Sequence, residues 1–232
     1  YQCINNVGKH ENADICDDST CCQAWITKED RMARWDANEA ENNWNKIVEA
    51  VDSTSGKIIT YNGAPINAFF HSNSGGVTES SLNIWGGIDY PYLQSVETAG
   101  EEGYTQYASE ATFTKEELLT KIKEKYPDCV MDYTQENCIQ ILEYTTSGRV
   151  KTIKFGNKEI AGTEARTLLG LRSTNFSFSI NGDNITFSVT GYGHGVGMSQ
   201  TGADSLAKSG STYEQIIKHF YTGVEITEVN SL

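Results

Sequence analysis

Proline is scarce in this chain, at 3 of 232 residues, and so is positive charge: 18 Lys and Arg stand against 31 Asp and Glu, for a formal net charge of −13. Binding a nucleic acid requires clustered lysine and arginine to neutralise phosphates, so these few scattered cations exclude nucleic acid and favour a neutral or mixed-charge partner. Long apolar runs are missing. Stretches such as 68–70 fall far short of the roughly 20 residues that a membrane-spanning helix needs. No basic segment followed by an apolar one opens the chain, and it begins at Tyr1 instead of a methionine, which predicts a mature or truncated product whose targeting segment lies upstream. The familiar nucleophile and phosphate signatures are missing too: there is no G-x-S-x-G elbow, no G-x-G-x-x-G spacing and no phosphate-binding lysine motif.

Cysteine is not scarce. Six of them, Cys3, Cys16, Cys21, Cys22, Cys129 and Cys138, are many for a cytosolic enzyme of this size and suit an oxidising, extracytoplasmic setting. In HENADICDDSTCC, His10, Cys16 and Cys22 recur at intervals of six, with Cys21 alongside. Imidazole and thiolate are preferred zinc donors; three of them with a free fourth position, or four with Cys21, satisfy a tetrahedral ion of structural type. The competing reading is a disulfide from Cys16 to Cys21 or Cys22, so residues 1–30 read as a loop region stapled by metal or by disulfide. Cys129 and Cys138 flank a polar loop and are the expected disulfide there, with free buried thiols as the alternative.

At this length the chain can bury a sizeable core as one domain, 1–232. Apolar positions Ala40, Trp44, Ile47, Val48 and Val51 recur at helical spacing, which predicts an amphipathic helix over 38–51. Residues 57–61 and 66–70, joined around Asn62 and Gly63, read as a β-hairpin. Thr114 and Glu117 form a capping box that opens a helix through Lys125, short of Pro127. Later come a strand over 149–155, a helix near 163–169, a hairpin from 176–180 and 184–189, and a helix over 212–221 with His219 on its surface. The expected fold class is α+β, with a mixed or antiparallel sheet core and peripheral helices. Glu97, Glu101 and Glu102 read as a polar surface cluster.

Function concentrates in two stretches. GYGHGVGMSQTGA, 191–203, sets four glycines around Tyr192 and His194 and runs into a helix over 203–208. Glycine at that density means that a ligand or another chain segment comes close to the backbone. HSNSGG, 71–76, places His71, Ser72 and Ser74 before Gly75 and Gly76 at a strand end, a usual location for ligand contacts. A substrate groove is expected where the two stretches meet. Trp85, Tyr90 and Tyr92 lie in a loop whose rings can stack on sugars or plug the core.

HSNSGG, the IWGG and YL pattern over 84–93, TEARTLLGLRSTNF at 163–176, GYGHGVGMSQTGA and the closing YEQIIKHFYTGVEI together resemble the stage II sporulation protein D (SpoIID) family over nearly the whole chain. The resemblance implies a lytic transglycosylase acting outside the cytoplasm on peptidoglycan strands stripped of their peptides, during endospore engulfment. It also implies a cell-wall amidase and a membrane protein as partners, and anchoring through a segment upstream of this chain. In that chemistry one carboxylic acid protonates the bond between N-acetylmuramic acid and N-acetylglucosamine. As carboxylate it then takes the proton of the muramyl 6-hydroxyl, leaving a 1,6-anhydro end. By the resemblance that glutamate lies shortly before Tyr1, so no catalytic residue is assigned within the chain, and neither Glu79 nor Glu97 takes its place. His71, Ser72, Ser74, Gly75, Gly76, Tyr192, His194 and Gln200 are then the expected substrate contacts, with His10, Cys16 and Cys22 the zinc ligands. Two other readings compete: a zinc-dependent cell-wall hydrolase, and a glycan-binding or assembly scaffold without chemistry.

Overall fold

The computed structural model describes residues 10–18, 21–87 and 89–229, so Cys3 lies outside the described residues. In chain order its elements are α1 (Lys28–Met32), α2 (Ala40–Ser53), β1 (Lys57–Tyr61), β2 (Ala64–Pro65), β3 (Phe70–His71) and α3 (Ser81–Trp85). There follow β4 (Ala108–Thr114), α4 (Lys115–Lys123), β5 (Ile139–Tyr144), β6 (Val150–Phe155), β7 (Lys158–Ala161) and α5 (Gly162–Leu169). The last are β8 (Phe176–Asn181), β9 (Asn184–Thr190), β10 (Met198–Ser199), α6 (Gln200–Lys208), α7 (Tyr213–Phe220) and β11 (Glu225–Glu228). Helices and mostly antiparallel sheets mix without a barrel, so the fold class is α+β, as expected. No described helix is long and apolar enough to cross a membrane. The chain forms two compact units, one reaching Ile66 and adding the segment from Glu225, the other spanning Asn67–Val224.

In the first unit α2 forms where its periodicity predicts, but the described residues leave much of its apolar stripe exposed: only Ala40 is buried, Trp44 is half-buried, and Val51 is 62% exposed. The Lys28 ammonium lies over the Trp44 ring at 5.3 Å, so α1 approaches that ring. The hairpin turns at Asn62 and Gly63, whose φ of 50° and 77° supply the two left-handed residues of a type I′ turn. Its second strand is only β2. One more ladder bond follows Pro65, from the Ile66 N–H to the Ile59 carbonyl at 3.1 Å, but the expected strand over 66–70 does not form. The other edge of β1 pairs antiparallel with β11, from Lys57 opposite Glu228 to Thr60 opposite Glu225.

The second unit holds two three-stranded antiparallel sheets, β4-β9-β8 and β5-β6-β7. With α4 and α5 they enclose one core in which Leu118, Ile122, Ile153, Phe155, Ala165, Ile185 and Phe187 are completely buried. The Phe187 ring meets Phe113, Phe155, Phe176 and Phe178 at centroid distances of 5.8 to 6.5 Å. The capping box on α4 is formed: Thr114 Oγ1 accepts from the Glu117 N–H at 3.2 Å, and Glu117 Oε2 accepts from the Thr114 N–H at 2.8 Å. Thr114→Ala is expected to lower the unfolding free energy by about 1 kcal/mol, read from urea denaturation.

Cys129 and Cys138 are buried free thiols, so the expected disulfide does not form. Cys129 Sγ instead donates to the Phe155 carbonyl at 3.6 Å, and burial raises the pKa of both thiols. Placed in the core, each behaves as a small apolar residue.

Candidate functional site

The two stretches singled out in the sequence lie side by side in the second unit. β3 and β10 pair in parallel, Phe70 with Met198 and His71 with Ser199. Asn73 and Tyr192 exchange backbone hydrogen bonds at 3.0 and 2.8 Å, the Glu79 N–H donates to the Gly195 carbonyl at 2.8 Å, and the Thr201 N–H donates to the Ser72 carbonyl at 3.1 Å. The His71 and His194 rings stand 5.6 Å apart. The glycines are required by the chain itself. At Gly193, with φ of 117°, a Cβ would come within 2.7 Å of the His71 Cβ; at Gly195, with φ of 83°, it would meet the Arg149 guanidinium at 2.7 Å.

One residue, Val196, sets both imidazoles through its backbone. Its carbonyl accepts from His71 Nδ1 at 3.1 Å, so neutral His71 carries its proton on Nδ1 and leaves Nε2 as a bare acceptor. Its N–H donates to His194 Nδ1 at 3.0 Å, so neutral His194 is the opposite tautomer. Burial, followed by the charges of His194 and Arg149, drives the His71 pKa down to about 3. Burial likewise lowers His194 to about 4; a hydrogen bond to the Phe70 backbone opposes this, and Arg166 and Arg149 add to it. Both rings are therefore neutral at physiological pH. The buried Nε2 of His71 has no hydrogen-bond partner among the described residues.

Behind the rings lies a buried charge cluster. Glu101 is fully enclosed and accepts from the hydroxyls of Ser74, Ser199 and Thr201 and from the N–H groups of Ser74 and Gly76. Burial pushes its carboxyl up, but those donors outweigh burial and hold it below the usual range. Glu79, equally enclosed, is held the same way by Ser147, Thr145, Asn83 and the Ser80 N–H. Between them the buried Arg149 guanidinium donates to the carbonyls of Ser74 at 2.6 Å and Val77 at 3.2 Å, while its Nε and Nη1 have no partner. Burial lowers its pKa to about 10, against the attraction of both carboxylates. Two buried negative charges and one buried positive charge thus brace the strand end that carries HSNSGG.

In front lies an aromatic face. Phe69 meets Trp85 at 4.7 Å and Tyr90 at 6.4 Å, and Trp85 meets His194 at 5.3 Å. Trp85, Phe69 and Tyr192 are exposed, and so is Gln200 in the first turn of α6. Tyr92, by contrast, is buried, its hydroxyl accepting from the Asn67 N–H at 2.9 Å.

In the first unit, His10 Nε2 and the sulfurs of Cys16, Cys21 and Cys22 all lie within 4.8 Å of one another. Cys22 Sγ is 3.3 Å and Cys21 Sγ 3.7 Å from His10 Nε2. No disulfide joins Cys16 to Cys21 or Cys22, so that alternative is not formed. Hydrogen bonds from the Cys16 backbone and from His10 lower the Cys22 pKa to about 6. At Cys16 a bond with the Asp18 backbone lowers the pKa, but burial and the neighbouring thiols outweigh it and leave it raised. Tetrahedral zinc–sulfur geometry puts ligand atoms about 3.7 Å apart, so this quartet can close around a metal ion.

A SpoIID family model, described as a stage II sporulation protein, matches residues 1–61. The stage II sporulation protein D of Bacillus amyloliquefaciens is 35% identical over 227 residues, or 98% of this chain. That of Bacillus subtilis (strain 168) is 35% identical over 229 residues, again 98% of the chain. The chain belongs to the SpoIID family. It spans 64% of the length of each of those two relatives. A further relative, the amidase enhancer of Bacillus subtilis (strain 168), is 30% identical over 79% of the chain and 33% of its own length.

In this SpoIID chain, His71, Ser72, Gly75, Gly76, Tyr192, His194 and Gln200 occupy the two adjoining segments, while Ser74 stands behind them with its hydroxyl turned to Glu101 and Thr98. Sequence reading missed Glu101, Arg149 and Phe69. Glu101 is not part of a surface cluster: the hydroxyls and N–H groups around it replace the water that it loses. Arg149 carried no local signal at all. Phe69 carried one, since it directly precedes HSNSGG beside Phe70.

Proposed function

We propose that this chain supplies the sugar-binding part of a lytic transglycosylase that cuts peptide-free glycan strands of the cell wall during endospore engulfment, leaving 1,6-anhydro-N-acetylmuramic acid ends. The observation that carries this reading is the closure of HSNSGG against GYGHGVGMSQ around two neutral imidazoles and the exposed Phe69–Trp85 pair. Sugars bury an apolar ring face on such aromatics and use their hydroxyls and acetamido groups on uncharged donors and acceptors, of which His71 Nε2 is one. Ser72, Tyr192 and Gln200 line the same face, and the backbone of Gly75 and Gly76 borders it.

Neither of the two buried carboxyl groups serves as the general acid in this reading. Glu79 and Glu101 are held ionised by their donors, and a carboxylate kept ionised cannot protonate a leaving group. The acid comes from a glutamate upstream of Tyr1, and the chain alone is inactive. The protein works outside the cytoplasm, anchored upstream, beside a cell-wall amidase and a membrane protein; the name of the amidase-enhancer relative supports the first of these partners. Full-length protein incubated with bare glycan strands is expected to release products with 1,6-anhydro ends, one water lighter than hydrolytic ends by mass spectrometry. Hydrolytic ends, or uncut strands, refute it.

The His10, Cys16, Cys21 and Cys22 quartet holds a structural zinc ion. Three thiolates and an imidazole fill a tetrahedral shell and leave no position for a reacting water, which disfavours a zinc hydrolase. Metal analysis of protein purified with its thiols reduced is expected to find about one zinc per chain, lost in Cys22→Ser. Metal-free protein with the same fold rules the site out.

A further inference from the structure

In a chain with 31 acidic residues, two guanidinium groups at the site have no acidic partner. Among the described residues neither Arg166 nor Arg172 forms an ion pair with a carboxylate. Arg166, half-buried on α5, makes one hydrogen bond, from Nε to the Leu171 carbonyl at 3.4 Å, so both of its terminal nitrogens are unused. The Leu171 carbonyl that it bonds directly precedes Arg172, whose own carbonyl accepts from the Gly193 N–H, so Arg166 is tied to the segment that holds the glycine loop. Arg172 lies over the Tyr192 ring at 5.1 Å, donates once to the Thr105 carbonyl at 3.3 Å, and its own carbonyl accepts from the Gly193 N–H at 2.9 Å. Its backbone is therefore tied to the loop while most of its guanidinium fork is left over.

Arg166 is half-buried and loses hydration with a single carbonyl hydrogen bond in return, while Arg172 is exposed and keeps its fork open to solvent, so the retention of the first beside a ligand face, with the second next to it, points to a ligand that brings the charge. The planar fork of arginine matches a carboxylate with two parallel hydrogen bonds. We propose that Arg166 and Arg172 form a carboxylate subsite that reads the lactyl group of N-acetylmuramic acid on the bound strand. This rests on the glycan reading above and adds the feature by which the substrate is chosen. While a stem peptide is attached, that lactyl carbonyl is a neutral amide; once the peptide is removed, it is an anion. A subsite built for the anion discriminates against the amide, because the guanidinium pair is then left buried by sugar and unpaired.

The test is calorimetric titration of the full-length protein at low ionic strength with three tetrasaccharides. These are an alternating N-acetylglucosamine–N-acetylmuramic acid strand with free lactyl carboxylates, the same strand as its lactyl methylamide, and chitotetraose. The free acid is expected to bind roughly tenfold more tightly than the methylamide. In Arg166→Gln and Arg172→Gln that ratio falls towards one, while Arg166→Lys, which keeps the charge and loses the fork, lies between. Equal binding of acid and amide by the unaltered protein, or an unchanged ratio in both glutamine variants, overturns the subsite and leaves the glycan reading standing. Failure of all three oligosaccharides to bind overturns both.

Discussion

Glu101→Gln, a change that alters neither size nor shape, is expected to lower the unfolding free energy by about 3–5 kcal/mol. The geometry leaves glutamine no good orientation. The Ser74 N–H donates to one carboxylate oxygen at 3.1 Å and the Gly76 N–H to the other at 3.0 Å, so whichever oxygen becomes an NH2 group faces a backbone N–H that cannot turn away. The hydroxyls of Ser74, Ser199 and Thr201 can rotate to accept, but the two peptides cannot. The exchange also removes one of the two carboxylates that attract buried Arg149. Glu79→Gln is the informative control. One Glu79 oxygen receives the Ser80 N–H and the Asn83 amide, but the other receives only the hydroxyls of Thr145 and Ser147, which can reverse to accept from an NH2 group. Its loss is therefore smaller, about 1–3 kcal/mol. Urea denaturation of both variants measures the difference; a loss at position 101 no larger than at 79 contradicts the account. Because Ser74, Gly76, Ser199 and Thr201 converge on Glu101, the same variant loosens both segments of the proposed sugar site.

The parts of the molecule that sequence reading recovers are those whose determinants are local. The Thr114–Glu117 box, the Asn62–Gly63 turn and the alternation across Gly182 each encode their element within a few residues, and each element forms. The meeting of HSNSGG with the glycine loop was legible because four glycines in seven residues need neighbours at backbone distance, and these are Asn73, His71, Arg149 and Phe69 for Gly191, Gly193, Gly195 and Gly197 in turn. Glu101 was not legible. Its burial depends on donors from Ser74, 27 residues before it, and from Ser199, 98 residues after it, and nothing near Glu101 announces them. The aromatic face failed for another reason: α3 is only five residues long, too short to show a period, so Trp85 reads as a loop residue. The stripe on α2 shows the opposite limit, since periodicity fixes which residues share a face but not whether the described residues cover that face.

The second large effect is expected in acid. His71 titrates at about 3 in the folded protein against 6.5 in a free chain, and His194 at about 4 against the same reference. Between those values the unfolded chain holds protons that the folded protein refuses, so stability falls as pH drops from about 6.5 towards 3. For His71 the gap is 6.5 − 3 = 3.5 pH units, which at about 1.4 kcal/mol per unit is on the order of 4–5 kcal/mol by the lower end. His194 is less enclosed and adds less. Glu79 and Glu101, held below 4.5, act in the same direction: their contribution is full above 4.5 and is lost as pH falls below it. The histidines therefore account for the loss that begins near pH 6.5, and the carboxylates steepen it below 4.5. Urea denaturation from pH 7.5 to 4 follows both parts. His71→Asn keeps an N–H for the Val196 carbonyl but cannot titrate, so it should flatten the slope between pH 6.5 and 4.5 and leave the steeper acid limb in place. Stability that is constant from pH 7 to 4.5 in the unaltered chain contradicts neutral buried imidazoles. It would also weaken the sugar site, because a charged His71 has a donor at Nε2 where the proposed contact needs an acceptor.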